Sequence, residues 1–223
     1  STRGRANTIR AALEGRFEAA KRHARLAEAI GREVAYNAFP MCLQVEAQAM
    51  TAIGEGDLAG DRLERHLDDF HGEQRDIVRT FSGLCRGYAM WRRGDQDAAR
   101  AILEPAFVDA RRLEFITFFR YTPGVAAELA AAALCWGVER DWVRHVIRQR
   151  GLPAPASVPD DWPWPVRIRG LGDFAVEVDG VALDATRKGQ GKPLEVLTAI
   201  VALGGRRVPQ DKLLAAVWRG RGR

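Results

Sequence analysis

The sequence predicts a mainly α protein: a solenoid of antiparallel helix pairs over residues 1–150, a Pro- and Trp-rich linker over 151–165, and a small α+β domain over 166–223. Three observations carry this reading. From Asn7 to Gln149, apolar residues recur at three and four in an Ala-, Leu-, Arg- and Glu-rich background with few β-branched runs, which is the period of an amphipathic helix. Within that stretch Gly15-Arg-Phe-Glu-Ala-Ala returns as Gly56-Asp-Leu-Ala-Gly and Gly94-Asp-Gln-Asp-Ala-Ala, at spacings of 41 and 38 residues. After Gly151 the texture changes, with five of the ten prolines falling by Pro165 and period-two alternation beyond it.

In chain order, the first elements are helices near 16–30, 37–53, 57–70, 73–92, 95–113, 124–136 and 140–149, preceded at Ile9–Leu13 by the end of another. Gly15, Gly56 and Gly94 are expected to take the left-handed turn that closes the first helix of each pair, with Asp57 and Asp95 capping the second. Ala19, Ala20, Ala98 and Ala99 then allow close helix approach. Each pair has an apolar face that it cannot bury alone, so neighbours are expected to stack. This pattern resembles long-period tetratricopeptide repeats of the kind found in the sensor regions of large bacterial ATP-dependent regulators. The resemblance implies a surface that binds a protein partner or a small inducer. No cap precedes the helix end at Ile9–Leu13, so further repeats are expected upstream of Ser1.

The segment Gly151-Leu-Pro-Ala-Pro-Ala-Ser-Val-Pro-Asp-Asp-Trp-Pro-Trp-Pro can enter neither a helix nor a sheet interior, and Trp162 and Trp164 are expected to pin it to a neighbouring surface. Val166-Arg-Ile-Arg-Gly-Leu and Phe174-Ala-Val-Glu-Val alternate as strands, with turn signals at Gly172-Asp173 and Asp179-Gly180. Two helices follow, Pro193–Leu203 and Pro209–Trp218. Leu194, Val196, Leu197, Ile200, Val201 and Leu203 on the first, and Leu213, Leu214, Val217 and Trp218 on the second, are expected to form a core.

Ile168-Arg-Gly-Leu-Gly-Asp-Phe-Ala-Val-Glu-Val-Asp-Gly, Arg187-Lys-Gly-Gln-Gly-Lys-Pro-Leu-Glu-Val-Leu, Ala202-Leu-Gly-Gly-Arg-Arg-Val and Leu213-Leu-Ala-Ala-Val-Trp stand in one order over about 50 residues. Together they resemble the OmpR-type winged helix of Streptomyces antibiotic regulatory proteins and related bacterial activators. The resemblance implies a cytoplasmic transcription regulator that binds DNA, contacts RNA polymerase and transduces a signal. In that family a third helix reads the major groove and a β-hairpin wing reaches the minor groove or the backbone. After Trp218 this sequence reads Arg219-Gly-Arg-Gly-Arg instead, so DNA binding by these residues alone is expected to be weak or absent.

Charge agrees with that division. Residues 1–163 hold 23 Lys/Arg and 23 Asp/Glu, whereas residues 164–223 hold 11 Lys/Arg against 6 acids, so the net charge of +5 lies in the tail. Arg187, Lys188, Lys192, Arg206, Arg207 and Lys212 are the candidate DNA-backbone contacts there. No catalytic, metal or cofactor site is legible. Gly189-Gln-Gly-Lys-Pro lacks the spacing and the Ser/Thr of a phosphate loop, and His23, His66, His71 and His145 have no ligand spacing. Asp68-Asp69 and Asp160-Asp161 are adjacent pairs that point apart. Cys42, Cys85 and Cys135 lie in apolar helical stretches and read as buried free thiols of a reducing compartment. The longest apolar run, Val125–Val138, is interrupted by Glu128 and is shorter than the roughly 20 residues that span a bilayer, so no membrane partner is expected.

Overall fold

A computed structural model describes residues 2–34, 39–170, 174–183 and 191–218, with the side chains of 2–5, 27–34, 39 and 40 outside the description. The chain is mainly helical with a small antiparallel sheet, and it divides into two compact units, Ser1–Trp162 and Pro163–Arg223.

The first unit contains α1 (Thr2–Leu13), α2 (Phe17–Val34), α3 (Phe39–Ala52), α4 (Gly56–Glu64), α5 (Gly72–Arg92), α6 (Gln96–Arg112), α7 (Pro123–Trp136) and α8 (Arg140–Arg150). Each helix packs on its predecessor, and α3 also packs on both α1 and α5. Three-residue turns join α1 to α2, α3 to α4, α5 to α6 and α7 to α8, short enough to fold each pair back on itself. A left-handed glycine sits in every one of them: Gly15 (φ 71°), Gly54 (φ 91°), Gly94 (φ 85°) and Gly137 (φ 73°).

The turn glycine of the second pair is therefore Gly54, not the expected Gly56, and the four turn glycines stand 39, 40 and 43 residues apart. Gly56 instead opens α4, where a Cβ would lie 2.4 Å from the carbonyl oxygen of Cys85 on α5. A glycine there lets the two backbones approach that closely. The capping expectation divides as well. Asp95 Oδ1 accepts from the Ala98 amide at 3.1 Å, but Asp57 lies inside the first turn of α4 and pairs with Arg93. Helix α4 also ends at Glu64, short of the expected 70, and the chain continues as a 3₁₀ turn at Leu67–Asp69. Two successive aspartates at a helix carboxy terminus oppose its dipole, which disfavours continuation.

The core of this unit is aromatic. Phe81 meets Phe119 at 5.0 Å between centroids and Phe115 edge-on at 6.1 Å, while Phe107 and Phe118 meet at 90°. Ala20 and Ala99 are fully buried, as close crossings require, and Ala19 and Ala98 are half-buried. The Arg150 guanidinium donates to the carbonyls of Ile116, Phe118 and Phe119 and lies 5.3 Å from the Phe118 ring centre, tying α8 to the loop before α7. That loop holds Phe119 at φ 49°.

The proline-rich segment belongs to this unit as far as Trp162. Leu152 and Trp162 are buried in its core, and Asp161 is held by Arg140 at 3.0 Å. Trp164 is 38% exposed, so only one of the two tryptophans is pinned. Cys42 and Cys85 are buried, whereas Cys135, on the last turn of α7, is exposed, contrary to expectation. None of the described helices is long and apolar enough to cross a membrane.

The second unit holds β1 (Val166–Arg169), β2 (Ala175–Val178), β3 (Val181–Ala182), α9 (Gly191–Ala202) and α10 (Gln210–Trp218). The strands form an antiparallel sheet in the order β1-β2-β3, with Val166 opposite Val178 and Val178 opposite Val181. Asp179 and Gly180, both at positive φ (51° and 81°), make the two-residue turn between β2 and β3, the conformation that matches strand twist. The expected core is corrected here. Val176 is buried, but no described residue of α9 or α10 is, and Leu203, Leu214 and Trp218 are 42–48% exposed. The sheet and α9 leave between them a cavity of about 310 Å³ lined by Phe174, Val176, Leu183 and Leu194. A four-residue strand and two short helices have too little facing surface to cover each other's apolar sides.

Candidate functional site

Two charged surfaces need an account, one in each unit. In the second unit the sequence candidates separate. Lys192, on the first turn of α9, donates to Glu195 Oε2 and, at 3.1 Å, to the Val217 carbonyl, with its ammonium 5.1 Å from the Trp218 ring centre. These contacts tie the start of α9 to the end of α10. Arg206 and Arg207 are exposed in the turn between these helices, where Gly204, Gly205 and Arg207 all take positive φ, and Lys212 is exposed on the first turn of α10. The three form no ion pair among the described residues and remain available to an anion. Arg187 and Lys188 lie outside the described residues.

The first unit carries a site that the sequence does not announce. Helices α2 and α4 form the walls of a groove of about 700 Å³, with Met50 of α3 at its base. Lys21 and Arg25, one turn apart on α2, face Leu58 and Arg62, one turn apart on α4, and Arg65, which caps its end. Glu46 of α3 organises these walls. Its side chain is 1% exposed, and each oxygen takes one arginine: Oε1 accepts from Arg25 Nε at 2.7 Å and Oε2 from Arg62 Nε at 3.3 Å. A carboxylate this deeply buried persists only when paired. The bond from Glu46, above all, raises the Arg25 pKa further above its already high ordinary value, so its charge is permanent. Arg62 Nη1 also lies 3.0 Å from His66 Nε2, and the other ring nitrogen of His66 is 2.9 Å from Asp69.

At the other end Lys21 pairs with Glu55 at 2.6 Å and Glu18 at 3.7 Å. The acids Asp61 and Glu64 turn to Arg86 of α5, at 2.8 and 2.7 Å. Counting charges over residues 1–163 hides this groove, because acids and bases balance there. Its legible trace is Glu46 itself, one carboxylate in the otherwise uncharged helix Phe39–Ala52. Among the described residues no group of three or more His, Cys, Asp or Glu side chains is placed to hold a metal ion. No protein-family model, curated protein or solved structure matches this chain.

Proposed function

We propose that this chain serves bacterial transcription regulation, its helix pairs stacking as a tetratricopeptide-like solenoid that senses a signal and its second unit acting as a DNA-facing winged-helix module. The observation that carries the reading is the second unit's order of elements. A three-stranded antiparallel sheet leads into two helices joined by a glycine turn, and the basic excess of the chain falls on the same residues. That is the order the OmpR-type resemblance requires. Arg206, Arg207 and Lys212 are its phosphate contacts, and Lys192 braces the two helices that present them. Neither unit carries out catalysis in this reading, and RNA polymerase is the further partner.

Titration with a promoter duplex and a random duplex at two salt concentrations tests it. Backbone contacts supply affinity without discrimination, so both duplexes are expected to bind weakly and equally, with affinity falling steeply as salt rises. Replacing Arg206, Arg207 and Lys212 by Gln is expected to abolish that binding and its salt slope. Binding unchanged in the triple variant removes these residues from the interface. The groove between α2 and α4 favours a second reading, an interaction or inducer-binding module that does not touch DNA, and this becomes the better account if neither duplex binds at low salt.

A further inference from the structure

We propose that the groove between α2 and α4 is a binding site for a small organic anion, a phosphoryl or carboxylate group on an apolar body. Arg25 and Arg65 take the anionic group, and Leu58 and Met50 seat the body. The proposal rests on the reading of the first unit as the sensing part and gives that sensor a site and a ligand class. A cavity of about 700 Å³ falls within the size range of small-molecule sites.

The groove's charges are committed unequally. Lys21 is answered by Glu55 and Glu18, while Asp61 and Glu64 are drawn to Arg86 on the far side of α4. Arg65 donates its Nε to the Asp61 carbonyl at 3.3 Å and meets no carboxylate among the described residues. Arg25 spends its Nε on Glu46 and keeps 57% of its side chain exposed. Both arginines are thus anchored through Nε, which leaves the terminal nitrogens as a pair of donors for the oxygens of a phosphate or carboxylate. The Glu46 salt bridges join α2 and α4 across α3, so Glu46 acts as a positioning residue that sets the separation of the walls before any ligand arrives. Leu58 is 55% exposed on α4, one turn from Arg62, and offers an apolar contact beside this charge.

Calorimetry of the full chain with phenyl phosphate, phenylacetate and inorganic phosphate at constant ionic strength tests the site. Saturable binding of one phenyl anion is expected, the two arms showing which head group it prefers, and inorganic phosphate is expected to bind more weakly. Arg65→Gln and Arg25→Gln should each weaken binding about tenfold, the loss of one charge-assisted contact. The unfolding midpoint of Arg65→Gln should stay at the parent value, because that side chain is exposed. Leu58→Ala should remove the advantage of the phenyl anions over inorganic phosphate. The proposal fails if no probe gives saturable heat at millimolar concentration, or if binding survives the Arg25→Gln/Arg65→Gln pair. Calorimetry reads the anion directly, so that failure leaves the DNA titration standing. A chain that binds the anion but neither duplex keeps the groove and loses the DNA module.

Discussion

The two units use their apolar residues differently. In the first, Phe81, Phe107, Phe118, Phe119, Leu84 and Leu103 are each less than 2% exposed, and helices approach until Gly87 has no room for a Cβ, which would lie 2.4 Å from Leu103. In the second, Val176 alone among the strand and helix residues described is buried, and α9 and α10 pack with their apolar residues half-buried, Lys192 bonding across to the Val217 carbonyl. Both units were expected from sequence to bury their amphipathic faces. The difference is one of scale: eight helices provide neighbours on several sides, whereas a two-helix, three-strand unit leaves most of each apolar face half-covered.

Phe81→Ala should have the largest effect, about 3–5 kcal/mol by urea denaturation, because it removes an aromatic ring from a close-packed cluster. A loss below 1 kcal/mol would mean that the first unit is as loosely packed as the second. Gly56→Ala should cost about 1–3 kcal/mol, since the new methyl meets backbone rather than a yielding side chain. Gly54→Ala provides the contrast: nothing lies within 4 Å, and its cost of roughly 1–2 kcal/mol comes from left-handed backbone alone. Equal stability of the Gly56→Ala variant and the parent would remove the close crossing of α4 and α5.

A pH experiment addresses the same core. Burial pushes the Cys85 thiol from 9.0 up to about 12, so the folded protein keeps a proton that the unfolded chain releases. Stability from this group is therefore complete below pH 9 and lost between pH 9 and 12, at no more than about 1.4 kcal/mol per pH unit. The slope difference between parent and Cys85→Ala, measured by urea denaturation across that window, checks it. At pH 8 Cys135 should react with a thiol reagent in the folded protein, and Cys42 and Cys85 only after unfolding. The smallest effect belongs to the second unit, where Leu214→Ala at a 48% exposed position should change stability by no more than about 0.5 kcal/mol. If it costs as much as Phe81→Ala, the proposed contrast between the units collapses.

Although it missed the end of α4 and the packing of residues 151–162 with the first unit, the order of amino acids specified the other helices, strands β1 and β2 and the change of texture after Gly151, because periodicity, turn chemistry and proline are local. Asp179-Gly180 illustrates this, since two residues specify the turn and hence the register of β2 against β3. It also located the basic excess, which is a matter of counting. Gly54 and Gly56 stand two residues apart, and it is packing that separates their roles: Gly54 turns at φ 91°, whereas Gly56 enters α4 and meets the backbone of α5. Tertiary structure likewise decided that Lys192 faces Val217 and Trp218, that the apolar faces of α9 and α10 stay half-covered, and that Glu46 joins Arg25 and Arg62 into the frame of a groove. Burial and charge pairing are relations between residues far apart in the chain, 21 positions for Arg25 and Glu46, and no local pattern encodes them.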